Sequence, residues 1–446
     1  MLGEYRIEGR RAAEIAASVE RGVGSGELAP GQPLPPMREL AAGLGVNPNT
    51  VAAAYRLLRE RGVIETAGRR GSRVRPRPAS TSREAIGVEA PEGVRDISTG
   101  NPDLALLPPL DAALTAAAAR HRERPVRYGD SAVTASLARL ARAAFDADGV
   151  PYGPVAVTSG SLDAIERALL AHLRPGDAVA VEDPGWGSLL DLVPALGLRT
   201  VPVALDDDGP LPDAVERALR TGARALVVTD RAQNPTGAAV TAERARELRR
   251  VLAGHPGVLL VEDDHGHGIV DLPLRPLAGA DGPTDHWLLV RSTAKAYGPD
   301  LRLAVLTGDE VTVGRLGGRQ RLGPGWVSHL LQHTVTALWE SRAVDPAGVA
   351  RSYGARREAL AGSLRARGLA AHGRSGMNVW VPVPDETGAV ARLLRAGWAV
   401  APGARFRIDS PPGIRLTVSE LAVHDIEPLA DAVAAAVRSG EPRRYG

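Results

Sequence analysis

The sequence predicts an α/β chain in two parts. A small head of short helices closes with a two-stranded hairpin; a large body of mainly parallel sheet with flanking helices then ends in a small C-terminal α+β subdomain. Three observations predict this. A length of 446 residues suits two or three domains of about 150 residues each. From Ile97 onward, strand-like runs alternate with helical ones, the pattern of a parallel sheet covered on both faces. Between head and body the apolar periodicity lapses into Pro, Ser, Thr and Glu, which marks a flexible linker. The expected boundaries are 1–76 for the head, 77–95 for the linker and 96–446 for the body.

In the head, residues 12–19 carry an apolar stripe (Ala12, Ile15, Ala16, Val19), residues 37–44 form a second short helix, and residues 48–62 a third, with Val51, Tyr55 and Leu58 at helical spacing. Asn47 is a good N-cap, and Pro48 fits a first helical turn, where its missing N–H costs nothing. Residues 63–66 and 72–75 read as short strands around a hairpin tip, 67–71. Two helices joined by a tight turn make a helix-turn-helix candidate. Small polar side chains at the start of the second helix can reach base edges, its amides face phosphate, and the arginines of the tip (Arg69, Arg70, Arg73) can lie along a DNA backbone or enter a minor groove. Charge agrees with this. Residues 1–75 hold 12 arginines against 8 glutamates, while the whole chain carries a net charge of +2, so the positive excess sits where it can attract phosphate.

In the body the strand-like runs are 155–158, 178–181, 225–228, 258–261 and 288–290, alternating with helical runs at 162–173 and 242–253; residues 345–438 have a smaller strand–helix texture. Composition narrows the chemistry. With 44% hydrophobic and 24% charged residues the chain has ample core. With no cysteine it has no disulfide scaffold, Cys-ligated zinc, iron–sulfur cluster or thiol nucleophile. No metal site is expected, and no stretch approaches the roughly 18 apolar residues of a membrane helix. A cytoplasmic protein with no membrane partner is the default expectation.

One residue stands out. Of the 54 basic residues, Lys295 alone is lysine. Where arginine has replaced lysine wherever the exchange was harmless, the survivor points to work that a guanidinium cannot do. A primary amine forms a Schiff base with an aldehyde; arginine does not. In Ser292-Thr293-Ala294-Lys295, with Arg302 seven residues on, a hydroxyl and a cation accompany the amine. Thr158-Ser159-Gly160-Ser161 ends a strand and opens a helix, whose amides and dipole can receive phosphate. Gln233-Asn234-Pro235-Thr236-Gly237 places an amide at a tight turn, and Glu262-Asp263-Asp264 ends a strand with carboxylates, one of which can pair with a pyridinium nitrogen. Pyridoxal 5′-phosphate (PLP) offers a counterpart to each: aldehyde, phosphate, phenolic oxygen and ring nitrogen.

Two resemblances follow from these motifs. Residues 28–41, together with Gly45-Val46-Asn47-Pro48-Asn49-Thr50-Val51 and the hairpin, resemble the winged helix-turn-helix of GntR-type bacterial regulators over residues 10–75. The resemblance implies that Arg38, Asn47, Asn49 and Thr50 contact double-stranded operator DNA, with Gly71 in the wing. Pro48 stands where many members have arginine, and Arg69 replaces the first glycine of the wing turn, so base preference does not transfer. Residues 96–446 resemble fold-type I PLP-dependent aminotransferases. That resemblance implies that Lys295 holds PLP as an internal aldimine, that Asp263 faces its ring nitrogen, that Asn234 bonds its phenolic oxygen and that Trp186 stacks on its ring. Gly160, Ser161, Ser292 and Arg302 would bind its phosphate, Tyr128 would reach the neighbouring subunit's phosphate, and Arg415 would grip a substrate or effector carboxylate. His265 departs from the usual tyrosine beside the phenolic oxygen, and its own titration near pH 6.5 would make the cofactor pH-sensitive. Val133 stands for a usual glycine and Leu162 for a common glutamine. As a whole the chain resembles MocR-type GntR regulators. This implies a homodimer that binds DNA and senses PLP or a small amino compound; the alternative is a PLP-dependent aminotransferase with an accessory helix-turn-helix. Ser188, beside the Trp186 loop, supplies no second cation for a diacid, a role left to some other segment.

Overall fold

The computed structural model describes residues 5–25, 27–29, 31–60, 63–66, 71–75, 82–86, 90–278 and 282–438. Most of the expected hairpin tip, Arg69 and Arg70 included, residue 76 of the expected head, and residues 77–81 and 87–89 of the expected linker lie outside the described residues. The chain divides into two compact units: residues 1–81 with 173–178 and 191–200, and the remainder.

The head contains α1 (Ala12–Ser25), α2 (Met37–Leu44) and α3 (Pro48–Glu60), followed by antiparallel β1 (Ile64–Thr66) and β2 (Ser72–Val74). Its core is the expected stripe: Ile15, Val19, Val51, Tyr55 and Leu58 are buried with Leu28, Ile64 and Val74. α1 runs past the apolar stripe at 12–19 to Ser25, and Gly22 within it is a packing point. A Cβ there would lie 2.6 Å from the Tyr5 ring. Gly45, at φ +64, ends α2 in the left-handed conformation, and the N–H groups of Gly45 and Val46 donate to Ala42 O and Ala41 O. That turn aims α3 away from α2.

In the larger unit the sheet strands are β3 (Val155–Thr158), β4 (Ala178–Asp183), β5 (Arg199–Asp206), β6 (Gly209–Pro210), β7 (Ala223–Thr229), β8 (Leu259–Asp264), β9 (His286–Ser292) and β10 (Ala304–Gly308), in the spatial order β3-β10-β9-β8-β7-β4-β5-β6. β7, β8 and β9 are mutually parallel, while β10 is antiparallel to both β9 and β3. β3 therefore points the same way as β8 and β9. The carboxyl ends of β3, β7, β8 and β9 share one edge of the sheet, the edge where ligands bind in open α/β folds. β4 and β8 read as unbroken apolar runs ending in acids, and every residue in both is buried, as strands covered on both faces must be.

The C-terminal subdomain packs β11 (Asn378–Pro382), β12 (Ala401–Pro402) and β13 (Gly413–Thr417), in the order β11-β13-β12, against the helices Pro346–Ala366, Glu386–Arg395 and Ile426–Arg438. Two residues, Arg95–Asp96, pair with Trp398–Ala399, and Ile97 is buried in this core. The segment read as a linker is thus partly built into the body. Within it a single 3-10 turn, Arg83–Ala85, is capped by Ser82, and Arg83 Nη1 donates to Ala404 O at 3.2 Å and to Arg407 O at 3.1 Å. A polar composition signalled a connector; it did not reveal side chains bonded to distant backbone.

Candidate functional site

On the head, Arg38, Asn47 and Asn49 are exposed and Thr50 is partly so. Asn47 Oδ1 accepts the Asn49 N–H at 2.8 Å, which caps α3 and leaves the amide nitrogen of Asn47 as its outward donor. Gly71 sits at φ +79 beside open space, so the wing turns there without strain. Asn47, Asn49 and Thr50 stand at the start of α3, Arg38 on the first turn of α2 and Gly71 on the hairpin.

In the larger unit two cavities meet at the carboxyl edge of the sheet. Glu84, Trp186, Asn234 and Lys295 line both. One, of about 310 Å³, is also lined by Gly160, Ser161, Leu162, Asp263, His265, Ser292 and Arg302. The other, of about 610 Å³, is also lined by Asp96, Ser98, Gly100, Arg405 and Arg415.

Lys295 follows β9 on the one-turn helix Ala294–Tyr297, and its Nζ donates to Gly100 O at 2.5 Å. Burial, with the Arg415 charge adding, pushes its amine down to about 8, and Glu84 opposes the shift. At the end of β8 three adjacent acids have different duties. Asp264 takes Arg231 Nη2 at 2.8 Å and Arg291 Nε at 2.9 Å. Despite burial, these guanidinium groups hold its carboxyl down at about 2. Glu262 accepts the Leu277 and Ala278 N–H groups. Asp263 is left to line the cavity, with Oδ1 buried and without a hydrogen-bond partner and Oδ2 3.7 Å from His265 Nδ1. His265 thus lies beside the carboxylate, which its likeness to a tyrosine position did not indicate.

Gly160, at φ +99, brings the backbone so close to Arg302 that a Cβ would sit 2.8 Å from Nη2. Arg302, itself at φ +42, donates from Nη2 to Ser159 O at 3.1 Å. Ser161 opens the helix Ser161–His172, and its buried Oγ has no hydrogen-bond partner. Ser292 Oγ accepts from Ala294 N at 3.2 Å. Two hydroxyls, a guanidinium and the start of the helix Ser161–His172 thus line the smaller cavity, an arrangement suited to an anion.

Arg415, on β13 and 3% exposed, donates to Asn234 Oδ1 at 3.0 Å and to Ser98 O at 2.6 Å, and its Nε has no partner. Burial, with repulsion from Arg405, pulls its guanidinium down to about 9. Tyr128 is 94% exposed, edge-on to Trp326, and lines neither cavity. Sequence reasoning missed Arg405 and Glu84. Arg405 Nη1 donates to the same Ser98 oxygen at 3.3 Å, and Glu84 Oε1 accepts from Ser188 Oγ at 2.7 Å. Arg405 is a second cation in the cavity that Arg415 and Lys295 line; its signal, an arginine inside the tight turn Pro402-Gly403-Ala404-Arg405, has meaning only once that turn is folded onto the same cavity.

Comparison with known proteins agrees with both parts. Residues 93–433 match the family model of aminotransferase class I and II, and residues 11–74 match that of bacterial regulatory proteins of the gntR family. The chain is 40% identical over 433 residues, 95% of its length and 98% of the relative's, to the vitamin B6 salvage pathway transcriptional repressor PtsJ of Salmonella typhimurium. It is 30% identical over 274 residues, 59% of each chain, to the HTH-type pyridoxine biosynthesis transcriptional regulator PdxR of Corynebacterium glutamicum. Among solved structures, a single mutant of Thermus thermophilus aspartate aminotransferase superposes with a TM-score of 0.67 at 25% identity, over 77% of this chain and 91% of that one.

Proposed function

The chain belongs to the MocR-type GntR regulators, a gntR-family helix-turn-helix fused to an aminotransferase class I and II domain, and on that premise we propose that it is a DNA-binding transcriptional regulator whose large unit binds PLP and responds to PLP or to an amino compound. The observation that carries the proposal is Lys295. The sole lysine of the chain stands in a cavity that also holds a buried carboxylate oxygen and a buried hydroxyl, both unpartnered, of Asp263 and Ser161. Buried polar atoms without partners are costly. A pyridine nitrogen and a phosphate are the groups that would complete these two, so the residues present fit PLP.

In this reading Lys295 would supply the amine, and Asp263 would face the ring nitrogen. Asn234, with its oxygen held by Arg415, donates its NH2 to the phenolic oxygen. Trp186 covers the ring, His265 stands beside Asp263, and Gly160, Ser161, Ser292 and Arg302 hold the phosphate. When bound, PLP supplies an aldehyde that condenses with primary amines and a ring that draws electrons from them. Arg415 orients the carboxylate of an incoming amino compound, and the apolar wall at Phe406, 4.8 Å beneath its guanidinium, keeps water from that charge. The exposed Tyr128 completes the phosphate site of a second copy, so the working form is a homodimer, in the cytoplasm, on a paired operator. Arg38, Asn47, Asn49, Thr50 and the Gly71 wing contact the DNA.

Regulation requires that the ligand bind two arrangements of the protein with different affinity. Mobility shifts on the gene's own promoter region, with and without PLP, test this. The wild-type protein is expected to retain PLP, seen as visible absorbance, and to change its DNA affinity with it; Lys295→Ala is expected to lose both the absorbance and the change. No DNA binding under any condition would defeat the proposal. Lys295, Asp263 and Arg415 together also suit an aminotransferase. Steady production of a keto acid from an amino acid, with a second keto acid as acceptor, would favour that reading.

A further inference from the structure

The larger cavity gathers more positive charge than one carboxylate needs. Arg415 and Arg405 donate to a single oxygen, Ser98 O, at 2.6 and 3.3 Å, so two guanidinium groups stand side by side in the cavity that Lys295 also lines. Neighbouring cations in a cavity with few ions need anions between them. Two carboxylates line this one, Asp96 and Glu84. Asp96 is spent on the backbone, where its Oδ1 accepts the Ser98 N–H at 2.8 Å. Glu84 is different. It comes from the turn Arg83–Ala85 and reaches the junction of both cavities, where Ser188 Oγ donates to it at 2.7 Å. Its charge raises the basicity of Lys295, Arg405 and Arg415 alike, whereas Asp96 acts on the two arginines only. The turn that carries it is fastened to the rim by Arg83, on Ala404 O and Arg407 O, and by Arg405 itself, whose Nε donates to Ile86 O.

We propose that this cavity takes a short diacid, an amino diacid in the working protein. Arg415 holds one acid group and Arg405 the other, and Glu84 is the internal anion that the second group displaces, unlatching residues 82–86. The proposal deepens, and rests on, the reading of this cavity as the effector site. Arg405 is the specificity residue: when an arriving carboxylate draws it inward, its bond to Ile86 O breaks, and the same event removes the counter-charge that kept Glu84 in place. A ligand with a single acid group leaves both fastenings intact.

Two inert probes test this on the full-length protein, with no need for PLP. Glutarate and butyrate are titrated by calorimetry at low salt, and the tryptic cut after Arg83 is followed by mass spectrometry. In the wild type, glutarate is expected to bind at least about tenfold more tightly than butyrate, the worth of one further charge-assisted pair, and to speed the cut after Arg83. Arg405→Gln is expected to bring the two acids to equal affinity. Glu84→Gln, an exposed position whose change leaves the fold alone, is expected to tighten glutarate severalfold and to make the cut fast without ligand. Equal binding of the two acids by the wild type overturns the proposal. So does a Glu84→Gln protein with unchanged glutarate affinity and unchanged cutting, whatever becomes of Arg405→Gln. PLP absorbance, measured on the same wild-type preparation, reports the effector-site reading separately: its absence defeats that reading without touching the acid preference.

Discussion

At the scale of single residues, the site depends on how neighbouring identical groups are told apart. Glu262, Asp263 and Asp264 are interchangeable on paper, yet one is bonded to backbone, one is locked between two guanidinium groups and one is left facing the cavity. Strand alternation and the positions of Arg231 and Arg291 make that choice. Lys295 is tuned in the same way. An amine attacks an aldehyde only when unprotonated, and burial with Arg415 brings this one down to about 8. The rate of PLP capture by the PLP-free protein is therefore expected to rise with pH and to level off above about 8. Arg415→Gln removes a cation that depresses the lysine, so the plateau is expected to move to higher pH. Stopped-flow absorbance across pH 6–10 reads both; a plateau unmoved in Arg415→Gln would show that burial alone sets the value.

At the scale of elements, the carboxyl ends of β4, β7 and β8 bury a second set of acids behind the site. Burial pushes Glu182 up to about 7 and Glu262 likewise to about 7, and raises Asp230 well above the carboxylate range, with Glu262 adding to the effect. Both oxygens of Asp230 are buried beside Glu262, and an acid so placed is favoured in its neutral form. The sign follows from linkage. Acids whose folded pKa is raised stabilise the fold below their unfolded values, near 4, and that stability is lost as pH rises through about 7. Asp264, held down at about 2, has the opposite sense, and its contribution is complete throughout that window. Burial pushes His172 down to about 4 and His267 down to about 3, so they act in the opposite sense below pH 6.5. The melting temperature of the larger unit is thus expected to fall between about pH 6.5 and pH 8, where these histidines no longer oppose the acids. Asp230→Asn, which mimics the neutral acid, is expected to flatten that fall. Calorimetry in matched buffers checks it, and a variant with the wild-type slope would remove Asp230 from the account.

At the scale of the whole molecule, the basic head and the nearly neutral body divide the work. DNA binding by the head draws on phosphate contacts, so affinity is expected to fall linearly in log–log with salt. Arg38→Ala is expected to weaken binding to all sequences and to reduce the salt slope by about 1 per bound head, read by mobility shifts at several salt concentrations. Unchanged slope with altered base preference would instead make Arg38 a reader of bases. Light scattering is expected to give twice the chain mass, as a site completed by Tyr128 of a second copy requires. Much of this organisation was legible in the chain. The alternation of apolar runs gave α2, the helix Ala242–Ala253 and β3 to the residue, because buried strands and amphipathic helices announce their periods locally. The strand β10, running against its neighbours, and the pairing of Arg95–Asp96 with Trp398–Ala399 were not, because pairing direction and distant partners leave no local period.

By itself the sequence determined the chemistry on offer: one amine among arginines, a phosphate-ready helix start, acids at a strand end, and a helix-turn-helix with its caps. These depend on residue type and near neighbours, which composition and spacing carry in full. Tertiary structure alone decided which acid faces the cavity, that Arg405 stands beside Arg415, and that a turn in the segment read as a connector brings Glu84 to line both cavities. Each of those facts joins residues ten to hundreds of positions apart, or a choice of face between adjacent ones. Charge and hydrogen bonding act through space, and the distances that set them exist only once the chain has closed on itself.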